Sequence, residues 1–161
     1  MTQPGSSDVD RHWLRAAIEL SARCTPSASA FSVGAVLVGD DGEVLTDGYS
    51  RELDPADHAE EVALAKIGLP RPAGSAAMTG LAGATLYSSL EPCAARKSRP
   101  SACADLIIAS GIGRVVIAWR EPPIFVRGGG ALRLRASGVI VTTLPELAAA
   151  ARAVNAHLLR D

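Results

Sequence analysis

A three-layer α/β/α domain with a mixed five-stranded sheet is the fold this sequence predicts, on three observations. Short apolar runs of strand length alternate with stretches of helical periodicity in the order α-β-β-α-β-α-β-α-β-α, a pattern that lays helices on both faces of one sheet. The first two strand-like runs are separated only by Asp40-Asp41-Gly42, a hairpin turn. No internal repeat and no second domain is visible, and 161 residues suffice for one packed core.

Each element has its own signal. Residues 11–21 place Trp13, Ala16, Ala17 and Leu20 at helical spacing behind Asp8 and Asp10 as caps. Residues 1–10, with Pro4, Gly5, Ser6 and Ser7 and no export pattern, are expected as a flexible tail, leaving 11–161 as the domain. Residues 31–38 and 44–49 form the hairpin strands. Asp57 is placed to cap a helix that runs to about Ile67 and stops at Gly68 and Pro70. A Pro, Gly, Ala and Ser loop over 70–83 leads to a buried strand at 84–90, stopped by Pro92. A helix at 102–110, a strand at 115–119, a short helix at 131–137 and a strand at 139–144 follow. Pro145 opens a last helix with Leu147, Ala151, Val154 and Leu158 on one face. Gly128-Gly129-Gly130 lacks phosphate-loop spacing and reads as a flexible turn.

Composition narrows the function. Net charge is −1, and acidic residues are spread among the arginines, so a nucleic-acid partner is not expected. No apolar run approaches the roughly 20 residues of a membrane helix, so no membrane role is expected either. Three cysteines are too few for a disulfide framework and suit a reducing, cytoplasmic setting. Cys24, Trp13, Trp119 and Phe31 read as core residues.

Three segments hold the chemistry: His58-Ala59-Glu60 at the start of the second helix, Glu91-Pro92-Cys93 just after the third strand, and Cys103 at the start of the next helix. All lie at strand ends or helix N-termini, where function collects in an α/β sheet. The positive end of a helix favours neutral imidazole and thiolate, the states that bind metal. One His and two Cys make a three-ligand zinc set, and zinc on three protein ligands keeps its fourth position for water. Zinc brings the pKa of bound water from about 15.7 to about 7. Removing a ring amine also needs a proton shuttle, and Glu60 is the carboxylate beside the metal set. H-x-E followed by P-C and a later Cys is the signature of zinc nucleobase deaminases, with the Glu as acid/base and not as ligand.

Taken singly, these residues have plainer readings. Asp57 and Glu60 stand at capping-box spacing, His58 suits a polar helix start, and the two cysteines could be buried thiols or a disulfide. Their joint occurrence is what favours the deaminase.

Nine residues, 94–102, separate Cys93 from Cys103, where the common signature has two. With that spacing, Ala30-Phe31-Ser32-Val33-Gly34-Ala35-Val36-Leu37-Val38, Gly48-Tyr49-Ser50-Arg51-Glu52-Leu53, His58-Ala59-Glu60-Glu61 and Leu90-Glu91-Pro92-Cys93 resemble the riboflavin-pathway pyrimidine deaminases, especially the fungal-type branch. The resemblance runs over roughly residues 11–145 and implies a cytidine deaminase-like fold. It implies a zinc-dependent hydrolase with His58, Cys93 and Cys103 as ligands and Glu60 as catalytic residue. The implied substrate is a diaminopyrimidinone ribosyl- or ribitylamino phosphate; the alternative is a free base, nucleoside or secondary-metabolite pyrimidine. Members of that family often associate, so a homodimer is implied, and because the chain ends at Asp161 any reduction is expected on a separate reductase. Arg96 and Ser98 match the fungal-type loop, whereas Arg99 stands where that pattern has Gly. Arg96, Lys97 and Arg99 therefore form a candidate phosphate clamp, with Arg51 and Glu52 as further substrate-binding candidates. A zinc-stabilised binding module without catalysis is the reading from another class; Glu60 argues against it.

Overall fold

The computed structural model describes residues 6–69, 81–96, 99, 101–120, 122 and 129–159. Five strands, β1 (Gly34–Val38), β2 (Val44–Tyr49), β3 (Thr85–Leu90), β4 (Arg114–Trp119) and β5 (Ile140–Thr143), form one sheet in the order β2-β1-β3-β4-β5. β1 runs antiparallel to both β2 and β3, whereas β3, β4 and β5 are parallel, so the sheet is mixed as expected. Among the described residues there are five α-helices: α1 (Ser6–Ser21), α2 (Ala59–Lys66), α3 (Cys103–Ser110), α4 (Gly130–Ala136) and α5 (Ala148–Val154).

Strand alternation divides the core into two layers. Val36, Val38, Tyr87, Val116 and Ala118 point to one face, where Leu14, Ala17 and Ile18 of α1 and Ala151 of α5 cover them. Ala35, Leu37, Leu86, Val115 and Ile117 point to the other, against Leu64 of α2, Ile107 of α3 and Leu134 of α4. Trp13 packs on the first cluster and Trp119 on both. Phe31 is buried edge-on against Trp119, with ring centroids 5.2 Å apart, a core role as expected.

Three boundaries depart from expectation, each for a physical reason. The first helix begins at Ser6, so residues 6–10 of the expected tail are helical. Asp10 is buried there, and the two terminal guanidinium nitrogens of Arg114, Nη1 and Nη2, donate to its carboxylate at 2.8 and 2.7 Å while the Tyr87 hydroxyl donates at 2.9 Å. The first strand starts at Gly34, not at residue 31, because side chains replace the ladder ahead of it. Asn155 accepts from the Ser32 N–H at 2.6 Å and donates to its carbonyl at 3.0 Å, and the Ser50 hydroxyl accepts from the Val33 N–H at 2.9 Å. The last helix is interrupted: a 3-10 turn (Pro145–Leu147) precedes α5, and a second (Ala156–Leu158) follows the break at Asn155, whose side chain serves Ser32. Loop residues 70–80 lie outside the described residues.

The Asp10 network sets an acid-sensitivity prediction. Burial alone would raise the Asp10 carboxyl, but the hydrogen bonds from Arg114 and Tyr87 outweigh it and hold its pKa below the ordinary value. With the folded pKa lowered, its stabilisation is present above the unfolded carboxylate pKa of roughly 4 and fades as pH falls through the folded value. Asp10→Asn leaves Arg114 without its charge partner and is expected to cost about 2–3 kcal/mol at pH 7 and much less at pH 2–3. Urea denaturation at the two pH values measures this; an equal loss at both would refute the linkage.

Candidate metal centre

The site lies at the C-terminal end of β3, where three segments converge. Leu90 ends the strand, and the Glu91 N–H donates to the Trp119 carbonyl at 2.8 Å, carrying the chain along β4 into Pro92-Cys93. β1 is antiparallel to β3, so residues 31–33 arrive at the same end. Cys103 is the first residue of α3, and its backbone N–H donates to Cys93 Sγ at 3.2 Å. His58 is the N-cap of α2, with extended backbone geometry.

His58 Nδ1 lies 3.6 Å from Cys93 Sγ and 3.4 Å from Cys103 Sγ, and the three donor atoms fall within 4.8 Å of one another. Zn–S and Zn–N bonds of about 2.3 and 2.0–2.1 Å at tetrahedral angles place N and S ligands roughly 3.5 Å apart. The donors therefore fit zinc in spacing, and one imidazole with two thiols fits it in kind. Both cysteines are buried and none of the three in the chain is in a disulfide. Cys93 is the readily ionised member of the pair. A hydrogen bond from the Cys103 side chain, the His58 imidazole and the Cys103 N–H pull its pKa below that of an ordinary thiol, against burial.

Glu60, expected beside the metal, is 3 % exposed and accepts a hydrogen bond from the Ser88 hydroxyl at 2.7 Å. Burial raises its pKa above the usual carboxylate range, although His58 and Ser88 pull the other way. The capping box anticipated for Asp57 and Glu60 is displaced by one residue: Glu61 Oε1 accepts the His58 N–H at 3.1 Å. Asp57 instead accepts from the backbone N–H groups of Leu53 and Asp54, at 3.1 and 2.8 Å, closing the preceding turn. Helix capping thus makes no demand on Glu60.

The substrate-binding candidates have protein partners. Arg51 holds a left-handed backbone, φ 61°, and its guanidinium donates to the carbonyls of Thr25 and Phe31 and to the Ser32 hydroxyl. Glu52 pairs with Lys66 at 2.7 Å. Arg99 reaches Asp54, Asp57 and Glu61 at 3.1–3.5 Å. The Arg96 side chain is 1 % exposed and pairs with Glu61 at 3.3 Å. Lys97 and Ser98 lie outside the described residues.

Sequence reasoning missed the supporting roles of three residues, two of which, Glu91 and Gly130, it had named without them. Ser88 holds Glu60, and nothing local distinguishes it from Thr85 and Ser89, the other small hydroxyl residues of the same strand. Glu91 is buried and accepts the Ala131 N–H at 2.8 Å, tying α4 to the metal loop. Gly130 opens α4 with its backbone against Pro92, so it is a close-packing position and not part of a flexible turn. Gly129 before it takes φ 111°, which suits glycine; Gly128 lies outside the described residues.

Comparison with known proteins agrees with this geometry. The chain is 41% identical over 125 residues to the diaminohydroxyphosphoribosylamino-pyrimidine deaminase of Schizosaccharomyces pombe, covering 78% of this chain and 29% of that protein. It is 39% identical over 111 residues to the riboflavin biosynthesis protein RibD of Escherichia coli, covering 69% and 27%. The chain thus spans less than a third of the length of these curated relatives. Acinetobacter baumannii RibD matches the structure with a TM-score of 0.74 at 29% identity, over 94% of this chain and 39% of that one. The Aspergillus oryzae Rib2 deaminase, solved in complex with DARIPP, matches at 0.71 and 22% identity over 94% and 96%, which shows a common fold. The cytidine deaminase-like fold is therefore present. Residues 7–119 match the family model described as the cytidine and deoxycytidylate deaminase zinc-binding region. Because that match takes in His58, Glu60, Cys93 and Cys103, the chain belongs to the cytidine and deoxycytidylate deaminase family and carries its zinc-binding region.

Proposed function

We propose that this chain is a zinc-dependent hydrolytic deaminase of an aminopyrimidine, acting on the diaminopyrimidinone ribosyl- or ribitylamino phosphate of riboflavin biosynthesis. The observation that carries the reading is the buried Glu60, two residues after a metal donor, hydrogen-bonded by Ser88 while Glu61 does the capping. His58, Cys93 and Cys103 would hold zinc, which when bound supplies a water acidic enough to ionise near neutral pH.

The chain's own residues manage the protons. Glu60 takes a proton from the attacking water and passes it to the ring nitrogen, then takes the proton of the hydroxyl now on the ring carbon and passes it to the departing amine, so that water and the aminopyrimidine leave as the oxo compound and ammonia. Burial, by raising its pKa, suits Glu60 to carry a proton between these steps. Ser88 fixes the carboxylate from the floor of the site, where it is itself fully buried. The substrate class is supported by the identity to the S. pombe deaminase and by the nine-residue loop between the cysteines. A cytoplasmic setting, a second copy of this chain and a separate reductase for the next step belong to the same proposal. Among the described residues no helix is long and apolar enough to cross a membrane.

Ammonia release from the two phosphorylated diaminopyrimidinones, their dephosphorylated forms, cytidine and deoxycytidylate tests the substrate. Turnover of a phosphorylated diaminopyrimidinone should exceed that of cytidine by at least ~100-fold. Preference for cytidine or deoxycytidylate would overturn the substrate class while leaving the chemistry intact.

A further inference from the structure

The long loop between the two cysteine ligands sends one side chain back into the protein. Arg96 lies three residues after Cys93, and its guanidinium is closed off from solvent at 1 % exposure. A buried guanidinium needs acceptors on its own terms, because an unpaired buried cation is strongly disfavoured. Its acceptors include groups of the metal centre. Nη2 donates to the carbonyl of Ala56, two residues before His58, at 2.6 Å. Nη1 donates to Glu61 Oε1 at 3.3 Å, the same oxygen that accepts the His58 backbone N–H at 3.1 Å. Nη1 also lies 3.9 Å from Cys103 Sγ, within hydrogen-bonding reach of sulfur.

We infer that Arg96 is the built-in brace and counter-charge of the zinc site, joining the inter-cysteine loop to the helix that presents His58 and donating to the Cys103 sulfur. The loop starts at one ligand and ends at another, and Arg96 ties it to the segment that carries the third. Two thiolates gathered in a dry pocket repel each other, and a guanidinium donor on one sulfur offsets that charge and draws electron density from the metal bond. Only a planar fork reaches the Ala56 carbonyl and the Glu61 carboxylate together; an ammonium cannot replace both bonds. This also accounts for the wide cysteine spacing, since a two-residue connection has no room for a side chain that folds back across the site. The inference gives Arg96 a role other than the phosphate clamp, and it rests on the zinc-centre reading above.

The test uses the full chain and two readouts that do not depend on turnover: zinc affinity by competition with a chromophoric chelator, and the thiolate-to-metal charge-transfer band of the cobalt-substituted protein. Arg96→Met should weaken zinc by ~10–100-fold and move the band to lower energy, with Arg96→Lys in between. If Arg96→Met does not fold, Glu61→Gln decides the matter. Without its carboxylate partner Arg96 interacts more strongly with sulfur, and the band should move to higher energy. Unchanged affinity and band in Arg96→Met, with KM raised for phosphorylated substrates alone, would make Arg96 a phosphate ligand and overturn the inference; so would a band that stays fixed in Glu61→Gln. A native chain that binds no zinc would overturn the functional reading itself, a result distinct from either.

Discussion

Glu60→Gln is expected to lower ammonia release by about a thousandfold or more while leaving about one zinc per chain. Gln is nearly isosteric and still accepts the Ser88 hydrogen bond, so fold and metal ligands have no reason to change. What is lost is the proton shuttle, because an amide neither takes the proton of water nor returns it to the leaving amine. The residue is not among the three clustered donors, and its neighbour Glu61 occupies the helix N-cap hydrogen bond. Metal analysis alongside single-turnover ammonia assays measures both effects. A variant that keeps its turnover would remove Glu60 from the mechanism, and one that loses zinc would make it a metal-binding residue.

The second large effect is predicted at a residue that touches neither metal nor substrate. Gly130→Ala should cost about 3 kcal/mol of stability, the upper end for overpacking, and weaken zinc binding by ~10-fold. A Cβ at this position would fall well inside contact distance of the Pro92 carbonyl oxygen and 2.8 Å from its carbonyl carbon. These are backbone atoms of the segment that presents Cys93, and no flexible side-chain tip can yield in their place. If α4 retreats, the hydrogen bond from Ala131 N–H to buried Glu91 breaks, leaving a carboxylate short of a donor. If Pro92 moves instead, Cys93 Sγ is displaced from His58 and Cys103. Urea denaturation and chelator competition separate the two routes, and native values in both would refute the close packing.

The parts of this protein that were legible in its sequence are those where neighbouring residues make the decision. Continuous apolar runs such as Val36 to Val38 and Val115 to Ala118 declare strands because their two faces meet two apolar layers. The clustering of the candidate zinc donors was legible for a different reason: His58, Cys93 and Cys103 are few, chemically distinctive and placed at element ends. What stayed hidden depends on residues distant along the chain. The strand register at Ser32 is replaced by bonds to Asn155, which is 123 positions away. The early start of α1 follows from Asp10 meeting Arg114, 104 positions away. The capping register slipped by one because Asp57 turns back to Leu53 and Asp54, a choice that composition does not reveal. Arg96 and Arg99 look alike in the sequence, yet one is 1 % exposed beside a metal donor and the other lies 35 % exposed among carboxylates.

Zinc held by His58, Cys93 and Cys103 is the proposed driver of amine hydrolysis. Removing metal from the purified chain with a chelator, then restoring zinc, while following ammonia release from the phosphorylated diaminopyrimidinone, tests that most directly. The expected result is about one zinc per chain at the outset, loss of ammonia release on removal and recovery on adding zinc back. Ammonia release that persists in the metal-free chain, or a native chain that holds no zinc, would contradict it.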